Sequence, residues 1–118
     1  MFFSAQDRRE NVRRNVMNGE GEVRGLHSFM NENRPEKTCF QMIGEMTLPA
    51  RGASIGFHVH HDNEEIYVAV AGRGLFTDND GSAHAVLPGD VMLTRQGEGH
   101  AIANDGDGPF TFIAVIAA

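Results

Sequence analysis

From Glu22 onward, apolar and polar residues alternate in short runs divided by glycine-rich turns. The clearest run is 38–48, where Phe40, Met42, Met46 and Leu48 share one phase and Gln41, Glu45 and Thr47 the other. A period of two is that of a half-buried strand. Gly44 leaves a gap in the apolar phase, and the Pro49–Gly52 segment ends the run. The same reading predicts strands over 54–60, 65–71, 74–78, 83–87, 91–95, 100–104 and 110–116, with an extra one over 22–30. Asp78-Asn79-Asp80-Gly81 suits a hairpin, Pro88-Gly89-Asp90 a tight turn, and Asp105-Gly106-Asp107-Gly108-Pro109 a loop. Many closely spaced strands with no helix between them mean an all-β sandwich or barrel. Residues 1–20 are polar and lack a sustained period, so they read as an arm with one helical turn near 7–16, ahead of a barrel over 21–118.

Two runs are apolar in both phases: Ile66, Val68 and Val70 alternate with Tyr67, Ala69 and Ala71, and Phe110 and Phe112 with Ile113 and Val115. One face can fill a barrel; the other needs a cover, and a second copy of the chain, giving a homodimer, is the economical one. At 118 residues the chain has room for one core. Its formal charge of -6 opposes binding to nucleic acid or an anionic membrane. Arg8, Arg9, Arg13 and Arg14 are interleaved with Asp7 and Glu10 and read as a solvated face. Cys39 is the only cysteine, which excludes an internal disulfide, and it reads as a small buried hydrophobe. No run is apolar enough for a signal peptide or membrane span, so the expected location is cytoplasmic.

The candidate chemistry lies in four residues. His58 and His60 are two apart on one strand and project from one face. Glu65 follows at an odd separation and rejoins that face only because His61-Asp62-Asn63-Glu64 makes a turn that resets the phase. His100 lies on a distant strand, with Asn104 four residues on and in the same phase. Three imidazoles and a carboxylate suit one divalent transition metal per chain: zinc, copper, iron or nickel, with manganese allowed by the carboxylate. Octahedral geometry with open positions is the catalytic option, closed tetrahedral geometry the structural one. His27, His61 and His84 lack such support and read as solvated.

These residues carry a family resemblance. Gly52-x5-His58-x-His60-x4-Glu65-x6-Gly72 matches the first cupin motif at every defined position. Gly89-x5-Arg95-x-Gly97-x2-His100-x3-Asn104 resembles the second, with Arg95 where proline is usual, which brings a cation near the barrel mouth. Over about residues 38–116 the chain is similar to the small single-domain cupins of the RmlC-like superfamily. That resemblance implies a double-stranded β-helix, or jelly-roll, barrel, a metal held by His58, His60, Glu65 and His100, and an Asn104 that supports the second motif by hydrogen bonding.

With the ligands inside, parity places Gly56, Tyr67 and Ile102 inside too, and the flanking strands add Phe40, Met42, Gly44, Met46, Phe112 and Ala114. This lining is apolar apart from Tyr67, and no Lys or Arg occupies an interior phase. A desolvated anion would need such a partner. The expected ligand is therefore a small, largely neutral organic molecule. The expected function is that of a metalloenzyme of oxygenase, isomerase or lyase type, with Tyr67 as a proton-transfer residue. The alternative is a non-catalytic module that binds or senses a small molecule.

Overall fold

The alternation becomes ten strands in a computed structural model that describes all residues, 1–118. They are β1 (Arg9–Arg14), β2 (Glu22–Phe29), β3 (Phe40–Leu48), β4 (Ser54–Val59), β5 (Glu64–Ala71), β6 (Gly74–Thr77), β7 (Ala83–Val86), β8 (Val91–Thr94), β9 (Gly99–Asn104) and β10 (Phe110–Ala117). Six form one sheet in the order β1-β2-β3-β10-β5-β8, and four form a second in the order β4-β9-β6-β7. All pairings are antiparallel. From β3 onward the chain passes repeatedly between the sheets, which is the jelly-roll arrangement expected from the sequence.

The core lies between the inner faces, where every second residue of each strand contributes a side chain. Phe110, Phe112 and Ala114 of β10 alternate inward, as do Tyr67 and Ala69 of β5 and Met46 and Leu48 of β3. Ile55, Phe76, Val86 and Ile102 meet them from the second sheet. One end of the barrel is filled by Phe110, Leu48 and Val23, all essentially inaccessible. Its loop is tied down by Asn104, whose amide donates to the carbonyls of Leu48 (2.8 Å) and Gly108 (2.9 Å). The other end stays open and carries the histidines. Outside, Ile66, Val70, Val91 and Leu93 remain exposed on the six-stranded sheet.

Four sequence expectations change. Residues 9–14 are a strand instead of a helical turn, flanked by short 3₁₀ turns at Ala5–Asp7 and Val16–Asn18. β1 has no apolar period to announce it; it forms because its backbone completes the edge of β2, from Arg9 opposite His27 to Arg14 opposite Glu22. Phe40 faces outward: Ile116 pairs with Met42 but Ala117 with Phe40, one step on β10 against two on β3. That bulge reverses the phase, and Phe40 joins Phe29, Ile43 and Val115 around an outer-surface cavity. Gly56 is not inside either. Ile55 pairs with Ile102 and His58 with His100, three steps against two, so Ile55 takes the inward place beside His58. Cys39, just before β3, is exposed. No helix is long and apolar enough to cross a membrane.

Phe110 is completely buried and its ring packs 5.4 Å from that of Phe112. Phe110→Ala is expected to destabilise the fold by about 3–5 kcal/mol, measured by urea denaturation. Since the change lies at the closed end, the folded variant should retain its metal content.

Candidate metal centre

At the open end, β4 and β9 pair so that His58 stands directly opposite His100. His60 follows the end of β4, where its N–H donates to Glu98 O (2.9 Å) and its carbonyl accepts from Gly97 N (2.7 Å). Glu65 comes across from the other sheet on β5, after the 60–63 turn that the odd spacing demands. The four residues converge. His100 Nε2 lies 3.2 Å from Nε2 of both His60 and His58, and Glu65 Oε1 lies 3.1 Å from Nε2 of His60 and of His100. The four ligand atoms all fall within 4.8 Å of one another.

The tautomers explain what the convergence is for. Each histidine has its Nδ1 engaged away from the centre: His58 with Gly56 O at 2.8 Å, His60 with Asn63 Oδ1 at 2.6 Å, His100 with Thr94 Oγ1 at 2.6 Å. With Nδ1–H donating outward, each Nε2 presents a lone pair to the same point. Three lone pairs and a carboxylate oxygen facing one another in a buried place repel unless a cation sits between them. Two atoms each about 2.1 Å from a cation and at right angles to one another lie about 3 Å apart, so the observed separations fit a single transition-metal ion. His58, His60, Glu65 and His100 can hold it.

Protonation follows the same logic. Where a proton instead of a cation lies between these atoms, burial still pushes the Glu65 carboxyl up, but hydrogen bonds from His100 and His60 outweigh it and bring it down to about 2. The Glu65 hydrogen bond raises His60 against the effect of its burial, whereas burial lowers His58. Tyr67 is raised well above the ordinary phenol, by burial first and then by the Glu65 charge, so its hydroxyl stays protonated. That hydroxyl is 3.4 Å from His100 Nε2, and the Tyr67 ring stacks on His100 with centroids 4.9 Å apart.

Above the centre opens a cavity of about 280 Å³. Met42, Met46 and Phe112 line it, together with Ile55, Ala114 and Ile116. Ile102 does not reach it: it lies in the core between the sheets, 1% exposed. Asn104 touches none of the four ligands. It sits four residues from His100, about 13 Å along β9, where it secures the closed end. Arg95 is held at the surface by Glu98, at 2.8 and 3.2 Å, and turned to that partner. His61 and His84 are exposed, as expected.

Sequence reasoning missed two sets of residues. Thr94 and Asn63 orient the ligand imidazoles; Thr94 stands opposite Glu65 across β8 and β5, and its parity with Met92 was the available signal. The second set is His27 and Arg13, both of which line the cavity. His27 is 2% exposed and so is not solvated; it shares the inward phase of β2 with Val23 and Gly25. The expectation that no basic side chain faces the interior is thereby corrected: Arg13, opposite Val23 and in the inward phase of β2, is itself exposed but lines the cavity.

Thr94→Val removes the acceptor that orients His100. Metal affinity should fall by about 10–100-fold, measured by competition with a chromophoric chelator, with the fold retained. Protons and metal compete for His60, whose imidazole is held protonated to higher pH than usual. Affinity should therefore drop as pH falls through the imidazole range; a flat profile between pH 8 and 5 would contradict this.

Comparison with known proteins agrees with the fold. The cupin domain profile matches residues 44–116, which include all four converging side chains. The chain is 38% identical over 102 residues to the oxalate-binding protein of Thermotoga maritima, covering 86% of this chain and 81% of that one. Its fold superposes with a TM-score of 0.87 on the crystal structure of a predicted oxalate decarboxylase from the same organism, at 32% identity, covering 99% and 98% of the two chains. A cupin 2 conserved barrel domain protein from Salinispora arenicola superposes with a TM-score of 0.69 at 26% identity, over 92% and 82%. By motif, fold and matched profile alike, the chain belongs to the cupin family.

Proposed function

We propose that the protein binds one divalent transition metal and uses it to hold a small organic molecule through that molecule's oxygen atoms. The observation that carries this reading is the shared aim of three imidazole lone pairs and Glu65 Oε1 at the floor of a cavity. The metal would supply Lewis acidity and coordination positions for the ligand. The chain's own residues supply the rest. Met42, Met46 and Phe112 exclude water from the ligand's apolar parts, and the Tyr67 hydroxyl donates a hydrogen bond at the centre. Arg13 gives the cavity a basic group and so a partner for an anionic ligand, in place of the neutral one expected from the sequence. Small carboxylates are therefore the first candidates, a choice also supported by the Thermotoga relative named for oxalate binding.

A second reading, a metalloenzyme of isomerase or lyase type, is favoured by Tyr67. A buried phenol kept protonated beside the centre is placed to act as a general acid. One experiment separates the two. Protein loaded in turn with manganese, zinc and iron is titrated calorimetrically with oxalate, and the same samples are followed for ligand consumption. Saturable, metal-dependent binding without turnover supports the binding module. Consumption that Tyr67→Phe slows by about 10²-fold or more supports the enzyme. Oxalate binding that is equally strong without metal contradicts both.

The exposed row Ile66, Val70, Val91 and Leu93 supports a homodimer formed through the outer face of the six-stranded sheet. Light scattering at micromolar concentration should give twice the chain mass; a monomer would contradict it.

A further inference from the structure

His27 has no part in the metal centre, yet its place is built. The ring lies on the inner face of β2 and β3, above Gly25 and Gly44, and a Cβ at either glycine would collide with it. Both glycines thus make room for an imidazole at this point. Its Nδ1 is the only buried side-chain nitrogen or oxygen without a hydrogen-bond partner. An orphaned acceptor is tolerated better than an orphaned N–H, which places the proton on Nε2, the nitrogen not sealed from the cavity.

Strand register relates this residue to the centre. His27 pairs with Gly44, Gly44 with Ala114, and Ala114 with Tyr67. His27 and Tyr67 are therefore the ends of one row across four strands, roughly 14 Å apart at the backbone. The two positions between them are glycine and alanine, leaving a trough. Arg13 lines the same cavity, and its charge acts on both His27 and Tyr67. Ion pairs engage Arg8, Arg24, Arg51 and Arg95; Arg13, like Arg9, Arg14, Arg34 and Arg73, makes none, and among those five it alone lines this cavity. Glu32 also lines the cavity, and its influence on His27 is weaker than that of Arg13. A two-carbon diacid at the metal centre would leave most of a cavity of about 280 Å³, and this whole far end, unused.

We propose that His27 and Arg13 form a second anchoring point for the ligand, whose preferred class is a dicarboxylate longer than oxalate. One end is held at the metal centre; the far carboxylate accepts from His27 Nε2–H and is neutralised by the Arg13 guanidinium. The inference rests on the metal-binding reading above and deepens it.

The test uses zinc-loaded protein and three probes: oxalate, 2-oxoglutarate, and 2-oxopentanoate, which has the same chain length without the far carboxylate. Calorimetry should show 2-oxoglutarate bound at least about tenfold more tightly than 2-oxopentanoate. His27→Phe and, separately, Arg13→Gln should each reduce that preference severalfold, with zinc content unchanged. Arg13 is exposed on an edge strand, so its variant folds even if the His27 one does not. The His27 ring ¹⁵N resonances should shift with 2-oxoglutarate and stay in place with 2-oxopentanoate. Equal affinity for the two oxo acids, or a preference that survives Arg13→Gln, overturns the proposal. Binding of oxalate alone overturns it and leaves the metal-binding reading standing. No binding of any probe to zinc-loaded protein overturns both.

Discussion

Three outward hydrogen bonds, from the Nδ1 atoms of His58, His60 and His100, govern the open end of this barrel. Each fixes a tautomer and a ring plane, and together they force three Nε2 lone pairs and one carboxylate oxygen into a volume a few ångströms across. The acceptors come from different parts of the fold: a bulged backbone carbonyl on β4, a turn side chain between β4 and β5, and a hydroxyl on β8. The centre therefore exists only when both sheets are closed on one another. Binding a cation there stabilises the folded barrel by mass action, since the unfolded chain has no such site.

The division of side-chain size follows from this. The closed end takes large, fully buried residues, Phe110, Leu48 and Val23, which clamp the sheets together. The open end takes Gly25, Gly44 and Ala114 on the inner face of the six-stranded sheet, so the strands that bring the ligands together also leave space above them. Stability and binding are thus assigned to opposite ends of the same strands. The edge strand β1 belongs to the second task, since it brings Arg13 to the cavity.

Much of this was legible in the sequence, for a definite reason. Strand parity and motif spacing select His58, His60, Glu65 and His100 independently, and nine of the ten strands stand out by alternation or turn chemistry. Phase inference failed where a bulge intervenes. One extra residue in β4 exchanges Gly56 for Ile55 inside the barrel, and one in β3 sends Phe40 outside. Bulges have no side-chain signature, because they are set by the partner strand's register. β1 was hidden because its pairing is made by backbone alone. His27 was legible after all: it alternates with Val23 and Gly25, and reading histidine as a polar residue obscured a sound parity signal.

Anomalous diffraction from crystals of the protein, recorded above and below a transition-metal absorption edge, tests the central claim most directly. It should give one peak per chain, within about 2.0–2.3 Å of Nε2 of His58, His60 and His100 and of a Glu65 oxygen. No peak at that point in metal-supplemented crystals, or a peak held by other side chains, would contradict the account.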